Sequence, residues 1–154
     1  MDIEEQYDKI YRYCYFKMYD DQIAQDITQE TFLRFCKQGL NLGSDKALPY
    51  LYTIAKNLCI DHFRKRTTET LEEITEEVID DPTEDLISNL TLRMTISKLP
   101  EDEQELIFLR YVNEVSITTI CKITGLSRFA VYRKLSKSLK WLKEELLKEG
   151  FSNG

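Results

Sequence analysis

Residues 116 to 146 read SITTICKITGLSRFAVYRKLSKSLKWLKEEL, a succession of capping, apolar and basic side chains with a single glycine near its start. Ser116 can cap a short helix through Ile117, Ile120 and Ile123, because a serine hydroxyl just before an apolar period accepts from otherwise unpaired backbone N–H groups. Gly125 makes a turn, and Ser127 caps a longer helix running to about Lys148. On that helix Val131, Leu135, Leu139, Leu142 and Leu146 lie in one stripe at 3.6 residues per turn, so the stripe must face other helices. Arg133, Ser136, Lys137 and Lys140 point the other way, with Tyr132 and Lys134 on the shoulders. Short helix, glycine turn, longer helix is the helix-turn-helix outline. In such a motif the outward face lies in the DNA major groove, where Arg and Lys donate to guanine edges and to phosphates.

The charge distribution supports a nucleic-acid partner for this segment. The chain of 154 residues has a formal net charge of -6, yet residues 117 to 154 hold 8 Lys and Arg against 3 Asp and Glu. Residues 1 to 66 are balanced at 10 and 10, and residues 67 to 116 hold 3 basic and 14 acidic side chains. The acidity therefore sits in the middle. Within it TTETLEEITEEVIDDPTEDLIS, residues 67 to 88, carries nine acids and no base, and Pro82 interrupts any long helix. The expectation is an acidic linker between two helical units.

The first unit, residues 1 to 66, reads as successive helices. Tyr7, Ile10, Tyr11, Cys14, Tyr15 and Met18 recur at three- and four-residue intervals, and Asp20 and Asp21 end that pattern. A second helix from about Asp21 to Gln38 repeats it with Ile23, Ile27, Thr31, Phe32 and Phe35 and stops at Gly39, a favourable C-terminal cap. After a polar loop from Leu40 to Lys46, Ser44 or Asp45 can cap a third helix through Leu51, Ile54, Ala55, Leu58 and His62 to Arg66, with Pro49 confined to its first turn. The second unit, residues 89 to 150, begins near Asn89 with a helix ending at Leu99 and Pro100. Glu101, Asp102 and Glu103 then open another helix, where the backbone dipole favours negative charge, with Leu106, Ile107, Leu109 and Tyr111 as its apolar residues.

Composition agrees with an all-α protein of two small helical domains. Apolar residues are 42% and aromatics 11%, enough for packed cores, and only 5 Gly and 3 Pro argue against a turn-rich β architecture. Cys14, Cys36, Cys59 and Cys121 are far apart and form no CxxC pair, so they read as buried reduced thiols rather than a zinc knuckle or redox motif. No cofactor, metal cluster, catalytic triad or phosphate-binding glycine loop is visible, which disfavours an enzyme. The acidic start lacks a signal-peptide pattern and no segment is apolar enough to insert stably in a membrane, so a soluble cytoplasmic protein is expected.

QDITQETFLRFCK (25 to 37) followed by LPYLYTIAKNLCIDHFRKR (48 to 66) resembles region 2 of the extracytoplasmic-function, or group 4, sigma factors of bacterial RNA polymerase. ISKLPEDEQELIFLRYV (96 to 112) and SITTICKITGLSRFAVYRKLSKSLKWLKEEL (116 to 146) resemble their region 4, in the family's order. The resemblance implies an alternative sigma factor that binds core RNA polymerase, at its β′ clamp helices and β flap, and directs promoter-specific initiation. It implies core-polymerase contacts at Asp26, Gln29, Glu30 and Leu33. It implies minus-10 recognition and melting by Tyr50, Lys56, Asn57, Arg64, Lys65 and Arg66, beside a Leu40 to Ala47 loop that captures a flipped base. It implies minus-35 contacts at Ser127, Arg128, Tyr132, Arg133, Lys134, Ser136, Lys137 and Lys140. An anti-sigma protein is a further expected partner, since sequestration is common in the family.

Two departures from the family pattern are visible. Tyr50 stands where many members have Trp, and Phe129 and Ala130 stand where many have a small residue followed by Thr. The competing reading of the residues is a stand-alone dimeric helix-turn-helix regulator, with residues 1 to 66 serving dimerisation or sensing. It predicts duplex binding at palindromic sites without polymerase.

Overall fold

A computed structural model describes residues 3–69 and 84–148, and these fall into two compact units, one on each side of the intervening stretch. Every element among the described residues is helical. Most of the expected linker, residues 70–83, lies outside the described residues. Its two ends do not behave as expected, because helix runs through residue 69 and resumes at residue 84.

The first unit is a three-helix bundle of α1 (Ile3–Met18), α2 (Asp21–Lys37) and α3 (Ala47–Glu69), each packed on the other two. Asp20 starts α2 by accepting from the Ile23 amide at 3.0 Å, which satisfies one of the free N–H groups of the first turn. Past the end of α2, Gly39 adopts φ 71° and donates to the Cys36 carbonyl at 3.0 Å, the left-handed exit expected of it. Ile10, Cys14, Phe35, Leu51, Tyr52 and Ala55 are each at most 1% exposed, and Tyr13 meets Tyr52 edge to face at 5.4 Å. The expected stripes are shifted in places. On α1, Tyr13 is buried while Tyr7, Tyr11 and Tyr15 lie at the rim. On α3, Tyr52 and Cys59 are buried in preference to Ile54, Leu58 and His62. On α2, Ile23 and Phe32 are half-buried, and Ala24 and Thr28 join the core. Thr28 and Thr31 are tolerated there because their hydroxyls donate to the Ala24 and Ile27 carbonyls of the same helix, each at 2.7 Å.

The second unit comprises α4 (Glu84–Ile96), α5 (Glu101–Ile107), α6 (Ile117–Thr124) and α7 (Arg128–Lys148), with a π-helical turn over Phe108–Val112 continuing α5. That turn explains a correction at Tyr111, which is exposed where a core position was expected, while Phe108 is buried. Widening to i→i+5 hydrogen bonds, as in Asn113 N–H to the Phe108 carbonyl at 3.0 Å, rotates the following side chains away from their α-helical directions. Helix α4 also begins five residues earlier than Asn89 and stops at Ile96, before Leu99 and Pro100. Of the four cysteines, only Cys14 and Cys59 are buried; Cys36 is exposed and Cys121 half-buried, which corrects the uniform expectation. A side-chain hydrogen bond from Cys59 holds the Cys14 thiol below its usual range against the opposing effect of burial. No helix among the described residues is long and apolar enough to cross a membrane.

Candidate nucleic-acid interface

Helices α6 and α7 form the expected helix-turn-helix from local chemistry. Ser116 accepts from the Thr119 amide at 3.1 Å to start α6, and Gly125, at φ 80°, ends it by donating to the Cys121 carbonyl at 2.8 Å. A side chain at Gly125 would meet nothing within 4 Å, so the left-handed backbone rather than crowding is what requires glycine there. Ser127 then accepts from the Ala130 amide at 3.1 Å and sets the start of α7.

The buried side of α7 consists of Val131, Leu135, Ser138 and Leu142, which pack toward α4, α5 and α6. Leu139, expected in that stripe, is 39% exposed because it projects well to one side of the line through Val131, Leu135 and Leu142. Its place is taken by Ser138, only 1% exposed, whose hydroxyl donates to Glu103 Oε1 of α5 at 2.8 Å. Arg133, Ser136, Lys137 and Lys140 are all exposed on the opposite side. Tyr132, 51% exposed, occupies one shoulder.

Besides Ser127, whose hydroxyl caps α7, two residues expected to face DNA have partners within the unit. Lys134 Nζ lies 2.7 Å from Asp102 Oδ2, which turns its charge toward α5 and holds the Asp102 carboxyl below the usual carboxylate range, chiefly through that hydrogen bond. Arg128 donates from Nη1 to the Thr118 hydroxyl of α6 at 2.9 Å, bracing the two helices against each other. Phe129 was not among the residues expected at the DNA, and it projects on the same outward side as Arg133, fully 75% exposed.

In the first unit, Asp26, Gln29, Glu30 and Leu33 do share one outward face of α2, opposite buried Ala24, Thr28, Thr31 and Phe35. Leu33 is 57% exposed, so the face combines polar groups with an apolar side chain. Asp26 accepts from Gln22 Nε2 at 3.3 Å, and Glu30 is paired with Arg34 at 2.8 Å. Both pairs are at the surface, where such links contribute little and exchange readily for a partner's cations.

On α3, the helical period brings Tyr50, Asn57 and Arg64 onto one line about 21 Å long, with Lys56 and Lys65 on its two flanks. Arg66 does not join them, because its position projects to the side of buried Leu48, Ala55 and Cys59; it is exposed because it lies in the last turns of α3. Tyr50 is 40% exposed, rests edge-on against Phe35 at 5.9 Å, and donates its hydroxyl proton to Gln38. The adjacent 40–46 loop is anchored by Gln6 of α1, 3% exposed, whose Nε2 donates to the Leu42 carbonyl at 3.0 Å. Periodicity could not have revealed Gln6, since its partner is 36 residues away. No group of three His, Cys, Asp or Glu side chains able to hold a metal ion occurs among the described residues.

Residues 3–69 match the sigma-70 region 2 family, and residues 89–142 match sigma-70 region 4. The chain is 32% identical over 140 residues to the ECF RNA polymerase sigma factor BldN of Streptomyces coelicolor, covering 80% of this chain and 51% of that protein. It is also 32% identical over 159 residues to the ECF RNA polymerase sigma factor SigW of Bacillus subtilis, covering 90% of this chain and 83% of that one. Its fold is similar to that of the sigma factor RpoE in a co-crystal structure with the anti-sigma factor NepR from Bartonella quintana, with a TM-score of 0.67, 20% identity and coverage of 95% and 94% of the two chains. Nothing in these similarities supports a stand-alone dimeric regulator. Helical bodies before and after residues 70–83, matching regions 2 and 4 in that order, together with the relationship to SigW, show that the chain belongs to the extracytoplasmic-function group of sigma-70 family RNA polymerase sigma factors.

Proposed function

We propose that this chain works as an alternative sigma factor in the cytoplasm by dividing recognition between its two units, without covalent chemistry of its own. The outward α2 face of Asp26, Gln29, Glu30 and Leu33 binds core RNA polymerase, with its carboxylates pairing to cations and Leu33 adding apolar contact. The α3 row of Tyr50, Asn57 and Arg64, flanked by Lys56 and Lys65, takes the unstacked bases and phosphates of the minus-10 strand. The cationic face of α7 holds the minus-35 duplex. Melting costs about 1.4 kcal/mol per stacked step, so the α3 contacts must form in the open state to offset it.

The observation that carries this reading is the two-sided character of α7, which buries Val131, Leu135, Ser138 and Leu142 and leaves Arg133, Lys137 and Lys140 exposed opposite them. Lys134 and Arg128 play a lesser part in it, their side chains being committed to Asp102 and Thr118. Replacing Arg133 and Lys137 together with Ala should weaken promoter selection by about 1 to 3 kcal/mol for each base edge no longer bonded, with core binding retained. Transcription assays with reconstituted holoenzyme, paired with a core-binding assay, check this. Unchanged output from the strongest promoter would overturn the assignment of the α7 face.

An anti-sigma protein is the proposed negative regulator, as in the RpoE–NepR complex. Recovery of the tagged chain with core polymerase alone, in cells under every growth condition tested, would count against it.

A further inference from the structure

Among the described residues, Phe129 is the most exposed large apolar side chain, at 75%. Folding does not require it, since Val131, Leu135 and Leu142 supply the apolar side of α7. It lies in the first turn of that helix, one position after Arg128, and projects within about 40° of Arg133, Ser136 and Lys140. Tyr132, three residues on and 51% exposed, widens the aromatic surface, while the Arg128 guanidinium is drawn to Thr118. The leading end of the outward face is thus aromatic, and the cations begin at Arg133.

That order has a chemical consequence. The N-terminal residues of a recognition helix are the ones that reach base edges. Phosphates offer nothing to a phenyl ring, and the base edges in the major groove present donors and acceptors with one sizeable apolar group, the 5-methyl of thymine. We propose that Phe129 is a specificity residue that packs against the 5-methyl group of one thymine in the minus-35 element. The proposal rests on the α7 outward face being the minus-35 reader.

The test uses holoenzyme reconstituted from core RNA polymerase and the full chain, on the strongest promoter that this holoenzyme transcribes. Each thymine of the minus-35 region is replaced singly by deoxyuridine, which removes the methyl and preserves pairing. The expected result is one position at which the wild-type protein loses about fourfold in promoter competition, the equivalent of one methyl-sized group no longer buried. At that position Phe129→Ala loses at least as much on the thymine template and is indifferent to deoxyuridine. An unchanged melting curve for Phe129→Ala verifies the fold. If no thymine shows a penalty that the variant abolishes, the proposal is overturned. Arg133→Ala on the same templates separates the causes: a loss there with none for Phe129→Ala overturns the methyl contact and leaves the face assignment standing, whereas no loss in either overturns both. A Phe129→Ala defect that is equal on promoters with and without a minus-35 element would assign the ring to a protein contact and also overturn the proposal.

Discussion

At the scale of single residues, the second unit depends on polar contacts that hold α7 to α5. Ser138 is 1% exposed and donates to Glu103, itself 7% exposed, so removing the hydroxyl leaves a buried carboxylate oxygen without that donor. Ser138→Ala should therefore destabilise this unit by about 1 to 3 kcal/mol. Urea unfolding followed by the fluorescence of Trp141, the single tryptophan and a residue of α7, measures it. Asp102 adds a pH dependence. Its carboxyl is held below the usual range by the hydrogen bond from Lys134, so its stabilisation is fully present above the unfolded value of about 4 and is lost as pH falls through the lower folded value. Asp102→Asn should accordingly lose less stability than wild type on acidification from pH 5 to about pH 3, measured by thermal melts across that range. Neither contact could be read from the sequence. The partners are 35 and 32 residues apart, and a helical period places Ser138 on the buried side without naming what satisfies it.

At the scale of elements, helical period located the buried side of each helix but not every residue on it, missing Tyr13, Tyr52 and Cys59 and placing exposed Leu139 in the core. Asp26, Gln29, Glu30 and Leu33 were legible as one surface of α2 because three- and four-residue spacing keeps them opposite the core. The same logic failed at Tyr111, where the π-helical turn breaks the α period, and at Arg66, where compositional clustering with Arg64 and Lys65 hid a different direction. Caps were legible at Ser116, Gly125 and Ser127 because each acts on backbone groups within four residues. The α2 face yields its own prediction. Exchanging Asp26 and Glu30 for Lys reverses the sign of a surface that contributes little to the bundle, so the variant should fold normally and fail to associate with core polymerase. Pull-down with purified core, alongside a melting curve, decides it. Normal holoenzyme assembly would move the polymerase contact elsewhere.

At the scale of the whole molecule, an acidic chain carries a basic helix, and the excess negative charge is placed between the units rather than on α7. The free protein should consequently bind duplex DNA weakly, and the polymerase should supply the remaining affinity. The central claim is that promoter choice belongs to the complex. The measurement that tests it most directly is run-off transcription on genomic fragments with core RNA polymerase, with and without this protein, beside footprinting of the protein alone. Discrete transcripts are expected from a subset of fragments only when both components are present, with no protection by the free chain. Symmetric footprints from the free chain, with no new transcripts in the presence of core enzyme, would contradict it.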